Sequence, residues 1–206
     1  AHARETLARV LMQQEKYEAA VTELAVLVKK DPDAVEVRMI LATALLELGR
    51  LADAEVHLTE VLQRDPDRHQ ARQNLAYVLL QRDQAAAAAR HLRELLRRDP
   101  GQHKARRDLV TVLLGELDFA AAAAELTVLL DQSAPNAAEL WKLLGYAHRC
   151  AGLPLAAMAA YTQAVVRDPD SEEARLGLIQ SLVDQGDLVR ARPLLRQELS
   201  RDSTRA

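Results

Sequence analysis

Apolar side chains along this chain recur at intervals of three and four residues, in runs separated by short polar stretches. This spacing places the apolar residues on one face of an α-helix. After most pairs of runs the chain carries a basic residue, an aspartate and a proline, as at residues 64–66 and 98–100. Proline cannot continue a helix, so each of these stretches is expected to end one. The pattern predicts an all-α protein of many short helices.

The polar stretch returns at a nearly constant interval of 34 residues. The series is Asp31, Asp65, Asp99, Ser133, Asp168 and Asp202, with one additional residue in the loop before Asp168. A fixed period in this range is typical of stacked helical repeats. It predicts a single domain of six units, which span residues 1–34, 35–68, 69–102, 103–137, 138–171 and 172–205.

Two positions within the unit are invariant. The seventh residue is always leucine: Leu7, Leu41, Leu75, Leu109, Leu144 and Leu178. The twentieth is always alanine: Ala20, Ala54, Ala88, Ala122, Ala157 and Ala191. A break lies between the two positions, marked by glycine in units two, five and six. Each unit is therefore predicted to be a helical hairpin, in which the small side chain lets the two helices approach closely.

The fifth unit carries the most distinctive set of side chains. They are Trp141, Leu144, Gly145, Ala157, Tyr161, Ala164 and Pro169. This set resembles the signature of the tetratricopeptide repeat (TPR), and the other units keep its leucine, small residue, alanine and usually its proline. The resemblance covers nearly all of residues 1 to 205. It implies a right-handed α-solenoid, or superhelix, of six helix-turn-helix hairpins that acts as a protein-protein interaction scaffold.

The Asp-Pro stretches are interpreted as hinges between hairpins. Their basic residue lies at the end of a helix, where the helix dipole favours a cation. A short polar side chain then precedes an acid or amide by three residues, which predicts a capping box at the start of the next helix. The predicted pairs are Asp33 with Glu36, Asp67 with Gln70, Asn136 with Glu139, and Asp170 with Glu173.

The TPR resemblance implies that the first helix of each hairpin lines a concave groove. The predicted groove residues are Met39, Ile40, Thr43, Gln73, Asn74, Tyr77, Lys104, Arg107, Thr111, Lys142, Tyr146 and Arg149. They run from apolar through amide to cationic side chains, which predicts a peptide or helix of a partner protein with an apolar end and an acidic end. The residues that clamp the carboxylate of chaperone tails in this family are not present in three consecutive units.

Alanine-rich stretches at residues 85–89 and 120–124 favour a second surface, on the convex side. They predict a homo-oligomer through that face, although helix propensity alone also accounts for them. The last hairpin differs, with Arg190, Arg192 and Arg196 on its second helix and Glu198 at a core position. It is interpreted as a solvated terminal unit kinked at Pro193, with a basic docking patch for an anionic surface as the alternative.

The small net charge and the lack of known catalytic motifs argue against several classes of function. The net charge of −3 at pH 7 predicts no nucleic-acid partner, and no apolar run is long enough for insertion into a membrane. No phosphate-binding loop or catalytic motif occurs, so we expect no enzyme activity and no cofactor. His57 and His91 recur at one matched position, but no carboxylate or cysteine accompanies them at ligand spacing, so no metal is expected. His148 is interpreted as a hydrogen-bonded interior histidine, and Cys150, the one cysteine, as an ordinary thiol.

The alternative function is a TPR positioning or regulatory module of a larger bacterial protein, such as an envelope-assembly, secretion or TPR-fused enzyme system. The chain begins at Ala1, inside a predicted helix and without methionine, which favours a processed or excised fragment. A cytoplasmic location is expected, and a periplasmic one if a signal peptide was removed. The usage of Ala, Arg and Leu is typical of a GC-rich bacterial genome.

Overall fold

The computed structural model of the protein describes residues 2–132 and 137–203. Within these residues the chain forms twelve α-helices and no β-strand. In order they are α1 (His2–Gln13), α2 (Tyr17–Lys30), α3 (Val35–Glu47), α4 (Leu51–Arg64), α5 (His69–Gln81), α6 (Ala85–Arg98), α7 (His103–Gly115), α8 (Phe119–Gln132), α9 (Ala138–Cys150), α10 (Pro154–Arg167), α11 (Glu172–Asp184) and α12 (Leu188–Ser203). The predicted all-α class is confirmed. No helix of the described chain is long and apolar enough to cross a membrane.

The helices pair as hairpins around a turn with one left-handed residue. These residues are Glu15, Gly49, Asp83, Leu117, Gly152 and Gly186, with φ between 57° and 83°. The next backbone N–H bonds the carbonyl five residues earlier, as from Arg50 to Leu45 at 2.8 Å, which is the Schellman ending of a helix. Composition identified the three glycine turns. It missed the other three, because a side chain held in this conformation leaves no compositional signal.

The chain divides into two compact units, Ala1–Ala105 and Arg106–Ala206, at the first turn of α7. The alanine at position twenty is buried in all six hairpins, as expected of a small residue between two packed helices. In the first unit a continuous core joins three of these alanines to leucines such as Leu24, Leu41 and Leu58. An Ala88→Leu substitution would overpack this contact and lower the free energy of unfolding by about 1–3 kcal/mol.

An arginine at position four of most units ties the first helix to the second helix and to the preceding loop. Arg38 is buried, pairs with Glu60, and donates to the carbonyl oxygen of Pro32 at 2.6 Å. The matching contacts are Arg4 with Glu23, Arg72 with the carbonyl of Pro66, Arg106 with Glu125, and Arg175 with the carbonyl of Pro169. In unit five Trp141 takes this position, and the guanidinium of Arg167 lies 5.2 Å from its ring centroid.

The predicted capping boxes are wrong. The residues at the N-caps are Ala34, Arg68 and Ala137, without a capping side chain, and Ser171, whose hydroxyl accepts from the N–H of Ala174. The aspartate of the hinge instead accepts from the N–H two residues later, as from Asp33 to Asp31 at 3.1 Å.

The acids assigned to those boxes pair with bases about one repeat away. The pairs are Asp33 with Arg64, Asp67 with Arg98, Glu36 with Arg68, and Glu173 with Lys142. They were missed because each joins residues 31 or 32 positions apart. Asn136, together with Ser133, lies outside the described residues.

The terminal hairpins expose side chains that other hairpins bury. Leu7 is 47% exposed, whereas its equivalents Leu41 and Leu75 are buried. The interpretation of the last hairpin needs one correction. Glu198 is not solvated, because it forms a largely buried ion pair with Arg175, Nε to Oε1 2.7 Å. Pro193 lies in the interior of helix α12, and the kink at this residue stays a prediction.

The alanine-rich stretches are only partly exposed. Ala88 and Ala89 of the first stretch and Ala122 and Ala123 of the second are buried against neighbouring helices. Only some of their other alanines face solvent, as Ala86 does. Association of two copies through this face therefore stays a prediction.

Candidate functional site

The groove residues predicted at the start of the first unit are mostly withdrawn from solvent. Met39 is 6% exposed and belongs to the hydrophobic core, so its placement in an open groove is wrong. Val37, Met39 and Leu41 are all buried although they point in different directions, so α3 is covered by neighbouring side chains around most of its circumference. Ile40 and Thr43 are half-buried. The apolar start of the groove is therefore much smaller than the sequence suggested.

The remaining predicted residues of the first unit are more accessible. Gln73 and Asn74 are half-buried on α5, and the amide of Asn74 accepts a hydrogen bond of 2.8 Å from Gln70. Tyr77 is 52% exposed and Lys104 is exposed as well. Tyr77 is the main apolar group that this face of the first unit offers.

In the second unit three of the predicted residues line one cavity of about 700 Å³. They are Lys142, Tyr146 and Arg149, all on α9. Leu176 of α11 and Leu195 of α12 join them, and these two side chains and Tyr146 are 40–44% exposed. Leu195, on a second helix, was not predicted, because the family resemblance implied only first helices.

Two further predicted residues, Arg107 and Thr111 of α7, line a smaller cavity of about 370 Å³. Its apolar wall includes Leu114, and it shares Glu139 and Leu143 with the larger cavity. The two cavities are therefore neighbours along α7, α9 and α11. Five of the twelve predicted residues come together on this one face of the second unit.

The floor of the larger cavity is the ring of Tyr161, which is only 4% exposed. Two glycines make room for it. A Cβ atom on Gly145 would lie 2.7 Å from Cγ of the ring, and one on Gly177 would lie 2.4 Å from both Cε1 and Cζ. Any larger residue at these positions would displace the ring, so the depth of the cavity depends on this glycine–tyrosine–glycine packing.

The charge of Lys142 is not available to a ligand in the way the sequence predicted. Its ammonium group pairs with Glu139 at 2.8 Å and also with Glu173. These hydrogen bonds raise the pKa of Lys142 and lower the pKa of Glu173. The sequence predicted a cationic site at Lys142, but the ammonium group is already paired with two carboxylates.

Arg149 is half-buried at the other end of α9 and lines the same cavity as Tyr161. Burial raises the pKa of Tyr161, so that its hydroxyl stays protonated. Tyr146 stacks edge-to-face on Phe119 with the ring centroids 6.0 Å apart. The nearby thiol of Cys150 raises the pKa of Tyr146. Both tyrosines are therefore neutral hydrogen-bonding groups.

The histidines have other contacts. Nδ1 of His57 lies 3.3 Å from a guanidinium nitrogen of Arg38. His148 was expected to be hydrogen-bonded, but its Nδ1 is buried without a partner among the described residues, and burial lowers its pKa. Within residues 2–132 and 137–203, no three His, Cys, Asp or Glu side chains are grouped as metal ligands would be.

Comparison with known families agrees with this architecture. Three models of the tetratricopeptide repeat match residues 5–57, 45–89 and 138–181, which together make up more than half of the sequence. The chain belongs to the tetratricopeptide repeat family. Among proteins of curated function, none matches it significantly in sequence.

Solved structures with the same TPR fold include MamA, with a TM-score of 0.72 and 17% identity over 82% of this chain and 91% of that chain. YrrB is described as a TPR protein with an unusual peptide-binding site. Its TM-score is 0.71 and its identity is 16%, over 83% of this chain and 88% of that chain. A chain in the complex of Naa15 and Naa10 bound to HypK-THB has a TM-score of 0.74 and an identity of 18%, over 95% of this chain and 30% of that chain. At these identities the likeness shows the fold alone, which is the predicted solenoid of TPR hairpins.

Proposed function

We propose that this TPR chain is a non-catalytic interaction scaffold that binds a peptide or helix of a partner protein on the face formed by α7, α9 and α11. Membership of the TPR family supports a scaffold, since stacked hairpins offer extended surfaces for other macromolecules. The observation that carries the location is the pair of neighbouring cavities, which share Glu139 and Leu143.

The composition of this face supports binding of a protein segment. Tyr146, Leu176 and Leu195 are large apolar side chains that stand open around one depression. Tyrosine and arginine are among the residues that most often dominate the energy of protein interfaces. Arg149 lines the same cavity as these side chains, and Arg107 lines the neighbouring one. The volume of about 700 Å³ also lies within the range of ligand-binding sites.

The test is selection of binding peptides from a displayed random library with the protein as the target. A Leu176→Ser variant removes one apolar wall of the larger cavity, and we expect it to weaken the selected peptides at least about tenfold. The matched control is Leu155→Ser, since Leu155 is also exposed but lies on α10 outside both cavities.

Selected peptides that bind both variants as tightly as the parent would place the interaction elsewhere. A library that yields no binder to the folded parent would also contradict the proposal. Circular dichroism of both variants shows whether the helical fold is kept.

A further inference from the structure

We infer that the larger cavity of the second unit takes a bulky apolar side chain with a carboxylate beside it, and that Arg149 and the Tyr161 hydroxyl bind the carboxylate. This inference rests on the proposed function, because it names the chemistry of the segment that binds there. It follows from the shape of the cavity floor and from the pairing of the charged groups around it.

The shape favours a single deep apolar anchor. Because Gly177 has no side chain, the backbone of α11 packs directly against the Tyr161 ring near Cε1 and Cζ and holds the ring as the floor of the cavity. Leu176 and Leu195 stand at the sides with their apolar groups partly in solvent. An aromatic or leucine side chain that fills this space would bury those groups and reach the Tyr161 hydroxyl.

Arg149 and Lys142 differ in whether their charge is already paired with a carboxylate. Lys142 already holds the carboxylates of Glu139 and Glu173. Arg149 has no carboxylate partner among the described residues, and it lines the same cavity as Tyr161. A guanidinium has five N–H donors, so most of them remain for a ligand. Since the group is half-buried, a carboxylate is its best-matched partner.

Tyr161 adds a second donor at the same point. Its ring lines the same cavity as Arg149, and its hydroxyl forms no hydrogen bond with another side chain among residues 2–132 and 137–203. The proton is therefore free to go to a ligand carboxylate.

The arrangement also gives the site a direction. Ten residues of α9, or about 15 Å along the helix axis, separate Glu139 from Arg149. The end near Glu139 and Glu173 carries one excess negative charge after pairing with Lys142 and repels an acidic group. A bound segment therefore presents its carboxylate toward the C-terminal end of α9, where Arg149 lies.

The chemistry can be tested with two small probes that differ only in charge, 3-phenylpropionate and 3-phenylpropanamide, titrated into the ¹⁵N-labelled protein. We expect both to shift the amide resonances of Leu176 and Gly177, and the carboxylate to bind at least about tenfold more tightly. An Arg149→Gln variant should reduce this preference to less than about threefold. Arg149→Lys, which keeps the cation, should retain part of it.

Arg192→Gln is the matched control, because it removes an exposed arginine of the same unit that lines neither of the two cavities. It should leave the preference for the carboxylate unchanged. Equal binding of the two probes, or equal losses in Arg192→Gln and Arg149→Gln, would overturn the inference.

These outcomes are separable from those of the peptide selection. Peptides that depend on Leu176 but bind Arg149→Gln normally support the proposed function and contradict the inference. A preference of the cavity for the carboxylate probe, without any selected peptide, supports the inference about the cavity and contradicts the proposed function.

Discussion

The two compact units are built from the same hairpin but differ where a second helix meets the first helix of the next hairpin. In the first unit Leu24 and Leu58 occupy position twenty-four, and Ile40 and Asn74 occupy position six of the hairpins that follow. In the second unit Leu126 and Leu143 form a similar pair, whereas the last junction has Tyr161 and Gly177, in direct contact. At this junction glycine replaces a larger residue on one helix and a tyrosine ring replaces leucine on the other, which places an aromatic floor beneath an open cavity. The cavity thus arises from an exchange of side-chain volume within an unchanged repeat.

The largest expected effect that tests this comparison is that of Gly177→Ala. The new Cβ would collide with the Tyr161 ring at 2.4 Å, so we expect a loss of about 1–3 kcal/mol in the free energy of unfolding, measured by urea denaturation. Gly115→Ala is the matched control, since no atom lies within 4 Å of a Cβ there and φ is ordinary. It should stabilise α7 by up to about 1 kcal/mol. Equal effects of the two variants would show that the glycine–ring contact does not set the packing.

An intermediate effect is expected at the hairpin turns, where the units also differ. Leu117 holds a left-handed backbone, φ 62°, while its side chain is 69% exposed, so Leu117→Gly relieves strain without loss of burial. We expect a gain of about 1 kcal/mol in thermal or urea unfolding. Asp83→Gly in the first unit should gain less, because aspartate tolerates this conformation better.

Gly152→Ala provides the reverse change at the same position of the next hairpin, and it should destabilise the protein, since φ there is 74°. A stabilising Gly152→Ala would contradict the strain argument for all these turns.

The smallest effect concerns pH, and it should be larger in the first unit. Burial and then Arg38 lower the pKa of His57, against Glu60 and Asp53, while burial, Arg72 and Arg90 lower the pKa of His91. Below the ordinary value of 6.5 the unfolded chain binds protons that the folded chain does not, so stability falls as the pH decreases toward the folded pKa values. In the second unit burial lowers the pKa of His148 in the same direction.

Hydrogen exchange, read separately for the two units, measures this pH dependence. A variant with His57→Gln and His91→Gln should lose most of the dependence in the first unit between pH 7 and about 5 and keep that of the second. The carboxyl groups of Glu94 and Asp99 also have lowered pKa values, but they change the stability only at a more acidic pH. An unchanged dependence in the double variant would assign it to other groups.

The fold was predictable because it depends on residues close together in sequence. Leucine at position seven and alanine at position twenty recur in every hairpin, and the alanines are all buried. The groove was predictable only in part, because it depends on which sides of a first helix the neighbouring helices cover. Met39 shows this, since it lies at a predicted groove position but α3 is buried on most sides.

The sequence by itself determined the six-fold hairpin pattern and the helical class, since both follow from local spacing and from side-chain size. Only the tertiary structure decided which charges are already paired, as with Lys142 between Glu139 and Glu173. It also decided that Tyr161 lies between Gly145 and Gly177 and that Arg149 has no carboxylate partner within the described chain. The physical reason is that most of these contacts join residues on different helices. Their distances depend on how hairpins pack together, which one repeat read alone does not contain.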